Sequence, residues 1–107
     1  MAYDDVPRQQ MLTDVLEFLG LALSDTNREQ LAVMLEALEL FDERNVKYGD
    51  LWQEGGWQDS AAHLRSKAAR VHSATKGTLL QPYNFIDDAL DAMNYAAFYV
   101  RNVRADR

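Results

Sequence analysis

The run Asn84-Phe-Ile-Asp-Asp-Ala-Leu-Asp-Ala-Met-Asn-Tyr-Ala-Ala-Phe98 sets acids at helical spacing in an otherwise apolar, aromatic-rich segment. At about 3.6 residues per turn, Asp88, Asp91 and Tyr95 fall on one stripe, with Asp87 and Asn94 along its edge. Ile86, Leu90, Met93, Ala97 and Val100 form a separate apolar face, expected to be the one turned to the core. Tyr95, Phe98 and Tyr99 flank the acids, and carboxylates sheltered by aromatic rings call for a cation beside them.

Two further sets of side chains have the spacing to complete a site. Glu36, Glu39 and Glu43 line up at i, i+3 and i+7 on an earlier helix, and His63, Lys67 and Arg70 at i, i+4 and i+7 on a later one. Acids from two helices can gather oxygens around a hard dication, for which Mg²⁺ is the natural candidate because it keeps waters and bridges carboxylates to phosphates. Lys67 and Arg70 then serve as a phosphate clamp. Taken one at a time, the glutamates read as a wetted helix face, and Lys67 and Arg70 as partners of neighbouring acids. His63 has no second histidine at metal-ligand spacing and reads as a partly buried helix residue. The segment Lys47-Tyr-Gly-Asp-Leu-Trp-Gln-Glu-Gly-Gly-Trp57 holds both tryptophans of the chain. Trp52 there either plugs the end of a helical bundle or, with Tyr48, stacks on a base.

Four helices are expected to position these groups. The first follows Pro7 and spans about residues 7–22, burying Met11, Leu12, Val15, Leu16 and Leu19. The second starts at a cap on Asp25 or Thr26 and runs to about Asn45, with Leu31, Met34, Leu35, Leu38 and Phe41 at core spacing. Gly49, Gly55 and Gly56 mark a loop, after which Asp59 or Ser60 caps a third helix to about His72. Gly77 and Pro82 bound the next linker, and Asn84 caps a last helix to about Val103. Strand-like alternation is absent, so the expected class is all-α, a four-helix bundle in one domain over residues 1–107.

With 107 residues, one core is expected, and association with a copy of itself would add useful burial. The net charge of −6 disfavours general binding to a nucleic-acid backbone but leaves a free nucleotide open, since that needs only local cations or a metal. No long uncharged apolar run is present, so no membrane span is expected. The chain has no cysteine, hence no disulfide, thiolate metal site or thiol nucleophile, and Met1-Ala-Tyr-Asp-Asp lacks the pattern of a secretory signal; a cytoplasmic setting is expected. No phosphate-binding glycine motif, serine elbow or His-Glu-x-x-His helix occurs.

Three motifs in order, Arg44-Asn-Val-Lys-Tyr-Gly-Asp-Leu-Trp52, Leu64-Arg-Ser-Lys-Ala-Ala-Arg70 and Asp87-Asp-Ala-Leu-Asp-Ala-Met-Asn-Tyr-Ala96, resemble the phage nucleotide-modification-associated domain. That domain is related to the MazG-like all-α nucleoside triphosphate pyrophosphohydrolases. The resemblance covers roughly Leu31 to Val100 and leaves the first helix outside it. It implies a MazG-like bundle, self-associated and phage-encoded, that binds (d)NTPs or modified nucleotides through Mg²⁺ and releases pyrophosphate. By the same resemblance Glu36, Glu39, Asp88 and Asp91 hold the metal, and Glu39 accepts the proton of the attacking water. Lys67, Arg70, Tyr48, Trp52, Asn94 and Tyr95 contact the nucleotide. The earlier helix carries spaced rather than adjacent glutamates, and Asp87 stands where a glutamate is usual. That reduced acid count fits weaker metal binding or a module that binds nucleotides without cleaving them. A bundle whose acidic stripe serves only protein interaction is the third reading.

Overall fold

The computed structural model describes residues 6–77 and 81–107. Four α-helices occur among them, α1 (Val6–Phe18), α2 (Asp25–Tyr48), α3 (Gly56–Ser73) and α4 (Ile86–Arg104), with short 3₁₀ turns at Leu51–Gln53, Ala74–Lys76 and Gln81–Phe85. No strand is found among the described residues, as the all-α expectation requires. No helix among them is long and apolar enough to cross a membrane. The predicted linker between Gly77 and Pro82 falls in part on residues 78–80, outside the described ones.

The chain divides into two compact units, Met1–Glu36 and Ala37–Arg107. In the first, α1 stops at Phe18, short of the predicted end, because the chain closes back on its last turn. Leu21 N–H donates to the Leu16 carbonyl at 2.9 Å and Gly20 N–H to the Glu17 carbonyl at 3.0 Å, a Schellman ending. Leu12, Leu16 and Ala32 are buried, whereas Phe18 and Leu19, the latter expected inside, are exposed. The cap of α2 is Ser24 rather than Asp25 or Thr26: its Oγ accepts from Asn27 N–H at 3.1 Å, three residues on, the geometry of an N-cap. Asp25 instead accepts from Arg28 at 2.5 Å.

In the second unit α2 runs to Tyr48, three residues past its predicted end, and stops where Gly49 takes φ +67° and donates to the Asn45 carbonyl at 2.7 Å. The start of α3 lies at Gly56, ahead of the predicted caps Asp59 and Ser60, and neither caps it. The orphan donor is met by backbone: Trp57 N–H donates to the Arg107 carbonyl at 3.1 Å. Gly56 has φ +68°, and a Cβ there would lie 2.8 Å from the Arg107 carbonyl, so only glycine fits this junction. Asn84 likewise does not cap α4, because Gln81–Phe85 already forms a 3₁₀ turn that feeds the helix.

The face of α4 that turns inward is not the apolar one. Ile86 and Val100 are 49% and 41% exposed, while Asp88, Asp91 and Asn102 are buried; of the expected core face only Leu90 is buried. Asn102, fully buried, donates to the Trp52 carbonyl at 3.2 Å and to Ser60 Oγ at 3.1 Å, tying α4 both to α3 and to the loop after α2. Asn102→Leu is expected to lower unfolding stability by about 2 kcal/mol, since it strands buried acceptors without changing volume much. Urea denaturation checks this, and a loss under about 0.5 kcal/mol, the range of neutral surface changes, would contradict it.

Candidate functional site: an aromatic cavity beside a buried charge cluster

The acids of α4 meet the bases of α3. Arg70 Nε donates to Asp88 Oδ1 at 2.9 Å, and Lys67 Nζ lies 3.3 Å from the same oxygen and 3.0 Å from Asp91 Oδ2. From α2, Arg44 Nη1 closes on Asp91 Oδ1. Helical spacing produces this: Lys67 and Arg70 at i, i+3 face Asp88 and Asp91 at i, i+3, so one ammonium can bridge both carboxylates. The Asp91 side chain is only 6% exposed, whereas those of Arg44 and Arg70 are 50% and 60% exposed. The acids are therefore sunk in the protein while two of the guanidinium groups reach solvent.

Protonation follows from the same contacts. The hydrogen bond from Lys67 to Asp91 holds the ammonium above its ordinary value, against the opposing effect of burial. Burial pushes the Asp88 carboxyl up, but hydrogen bonds from Arg70 and Lys67 outweigh it and leave the group below its usual range. Asp88 thus contributes stability above its unfolded value near about 3.9 and loses it as pH falls through the lower folded value. Lys67 contributes below its unfolded value near about 10.4 and loses it as pH rises through the higher folded one. The urea midpoint is expected to be flat between about pH 5 and pH 9 as regards these two groups and to fall on both flanks. Asp88→Asn should flatten the acid flank; an unchanged acid flank would contradict the pairing.

Next to the cluster, and sharing Asp91 and Arg44 with it, lies a cavity of about 340 Å³, a size suited to a small molecule. Its walls include Tyr48, Trp52, His63, Asn94 and Tyr95. The rings are ordered by one another. Trp52 and Phe98 stack with centroids 5.1 Å apart and planes 23° apart, and the Arg101 guanidinium sits over the Trp52 ring at 3.9 Å. Trp52 is thus held by two neighbours on α4. His63 stacks on Tyr95 at 4.9 Å and 13°, and Tyr95 meets Phe98 edge-on at 5.6 Å. Tyr48 is exposed.

The predicted site residues separate into groups. Tyr48, Trp52, Asp91, Asn94 and Tyr95 come together on the cavity wall, and Lys67, Arg70 and Asp88 adjoin it through Asp91. Asn94 also donates to the Ala37 carbonyl at 2.9 Å, fixing α4 to α2 within this unit. Glu39 is exposed and is not among the cavity walls, and Glu36 belongs to the first unit. Among the described residues no three of His, Cys, Asp or Glu gather as metal ligands. Asp88 and Asp91 instead hold three bases between them. As arranged, this donor set does not fit a hard dication: three positive charges against two negative ones make the cluster itself cationic. Sequence reasoning missed Arg44 and Asn45 as wall residues, although Phe41, Arg44, Asn45 and Tyr48 share one face of α2 by spacing.

In comparison with known proteins, no family model, curated protein or solved structure matches the chain.

Proposed function

We propose that the second unit binds a nucleoside phosphate, with the heterocycle in the aromatic cavity and the phosphates against Arg44, Lys67 and Arg70. The observation that carries this reading is the junction of the two features at Arg44 and Asp91, which line the cavity and belong to the charge cluster. Three basic side chains beside a ring-lined recess match a ligand that is flat at one end and anionic at the other. The half-exposed Arg44 guanidinium has donors to spare for phosphate oxygens, and forked donors suit that group.

Self-association belongs to the same proposal. It is supported by the outward apolar side chains of α4, with Val103 47% exposed beside Ile86 and Val100. The MazG-like character rests on the order of the three motifs, and Mg²⁺-dependent cleavage is the activity that this resemblance implies.

Titration of the purified chain with ribo- and deoxyribonucleoside triphosphates, followed by tryptophan fluorescence, tests the reading. Saturable quenching that weakens as salt is raised is expected. No saturable change with any nucleotide would reject it. Chromatography of the same mixtures with Mg²⁺ reads catalysis separately: monophosphate and pyrophosphate would add hydrolysis to binding.

A further inference from the structure

Along α3 the residues Asp59, His63, Lys67 and Arg70 fall on one stripe, an acid near the start of the helix and bases further on. Asp59 and His63 line the cavity with Tyr95, while Lys67 and Arg70 belong to the charge cluster. We infer that the Asp59 carboxylate selects a guanine-type heterocycle, accepting hydrogen bonds from two adjacent N–H groups on its edge. The inference rests on the nucleotide-binding reading above and names the base which that reading leaves unspecified.

Asp59 has acceptor capacity to offer. Its side chain is 52% exposed, and its ion pair among the described residues is with His63, whose Nε2 stands 3.5 Å from Oδ1, too long for a good hydrogen bond. The other cavity acid, Asp91, is already taken by Arg44 and Lys67. The seat of Asp59 is built into the backbone: a Cβ at Gly55 would lie 2.3 Å from Asp59 Cβ. Gly55 has φ −83°, which any residue adopts, so it is this contact that calls for glycine. Position along the helix fits as well. At roughly 1.5 Å of rise per residue, Lys67 lies about 12 Å beyond Asp59, a span that an extended nucleoside polyphosphate covers from its tail to the edge of its base. An ionised carboxylate accepts hydrogen bonds and donates none, and it repels phosphate, so the group that meets Asp59 must be a neutral donor. Guanine sets two donors side by side, the ring N1–H and the 2-amino group. In adenine and cytosine an acceptor nitrogen adjoins the amino group, and in uracil carbonyls flank the N–H. Two parallel bonds to one carboxylate fix orientation as well as adding affinity.

Calorimetry with GTP, ITP and ATP tests this, ITP being GTP without the 2-amino group. GTP should bind about tenfold more tightly than either, the low end for a charge-assisted contact because the acid is half exposed. D59N, a change at a half-exposed position that leaves the fold in place, should cut this preference to less than about threefold without weakening ATP binding. A carboxylate acting through its charge alone would instead shift all three nucleotides alike in D59N. That result, equal affinities of the wild-type chain for the three, or a GTP preference that D59N retains overturns the inference and leaves the nucleotide-binding reading intact. Binding of none of the three overturns both. The wild-type affinities decide even where D59N fails to fold.

Discussion

Lys67→Met is expected to cost the fold about 3 kcal/mol, the largest stability effect of any single change in the charge cluster. Among the described residues, Lys67 Nζ is the group that lies within reach of both buried carboxylates, at 3.3 Å from Asp88 and 3.0 Å from Asp91. Without it each acid keeps a single guanidinium, and those of Arg44 and Arg70 are half or more exposed and so screened by water. Two sheltered like charges are then left facing one another, which is more costly than the loss of the pairs themselves. The deficit should narrow as pH is lowered toward about 4, where carboxylates begin to take up protons. A Lys67→Met, Asp91→Leu double variant should recover much of the loss, because it removes the repulsion between the two acids and leaves without a carboxylate only Arg44, which is half exposed. Urea denaturation of the single and double variants measures this; a single variant within about 0.5 kcal/mol of wild type would mean that the acids are in effect solvated.

The largest effect on binding is expected from Arg44→Gln, with nucleoside triphosphate affinity falling about thirtyfold, on the order of 2 kcal/mol for a charge-assisted contact. Arg44 lies on the cavity wall itself, and glutamine retains length and one amide while losing the charge and the fork. Because its side chain is 50% exposed, the change should disturb stability far less than Lys67→Met. Calorimetry with circular dichroism as the folding control checks both halves. Unaltered affinity in a folded variant would remove Arg44 from the site.

The helical class and the content of the elements could be read from the sequence because 3.6-residue periodicity is strong along α2 and α4. The pairing of Lys67 and Arg70 with neighbouring acids was also legible, as the plainer of two readings, since both pairs sit at i, i+3. What sequence could not supply was which stripe of α4 faces inward. Hydrophobicity favours Ile86 and Val100, yet the bases on α3 and α2 make Asp88 and Asp91 the better inward partners, and that is a property of three helices at once. The ends of α2, α3 and α4 were misplaced for a similar reason. Ser24 outcompeted Asp25, and the cap of α3 comes from the Arg107 carbonyl, fifty residues away in sequence and invisible to any local rule. Trp52 was legible as an important ring, read either as a plug at the end of the bundle or as a stacking wall; it lines the cavity and packs against Phe41, Phe98 and Arg101.

The measurement that bears most directly on the account is a calorimetric titration of the wild-type chain with a nucleoside triphosphate in EDTA, with no divalent ion present. A cluster in which Arg44, Lys67 and Arg70 outnumber Asp88 and Asp91 should bind the nucleotide there, saturably and with one site per chain. No heat in EDTA, and binding restored only by Mg²⁺, would show that the acids receive the ligand through a metal and that the bases do not, contrary to the arrangement described.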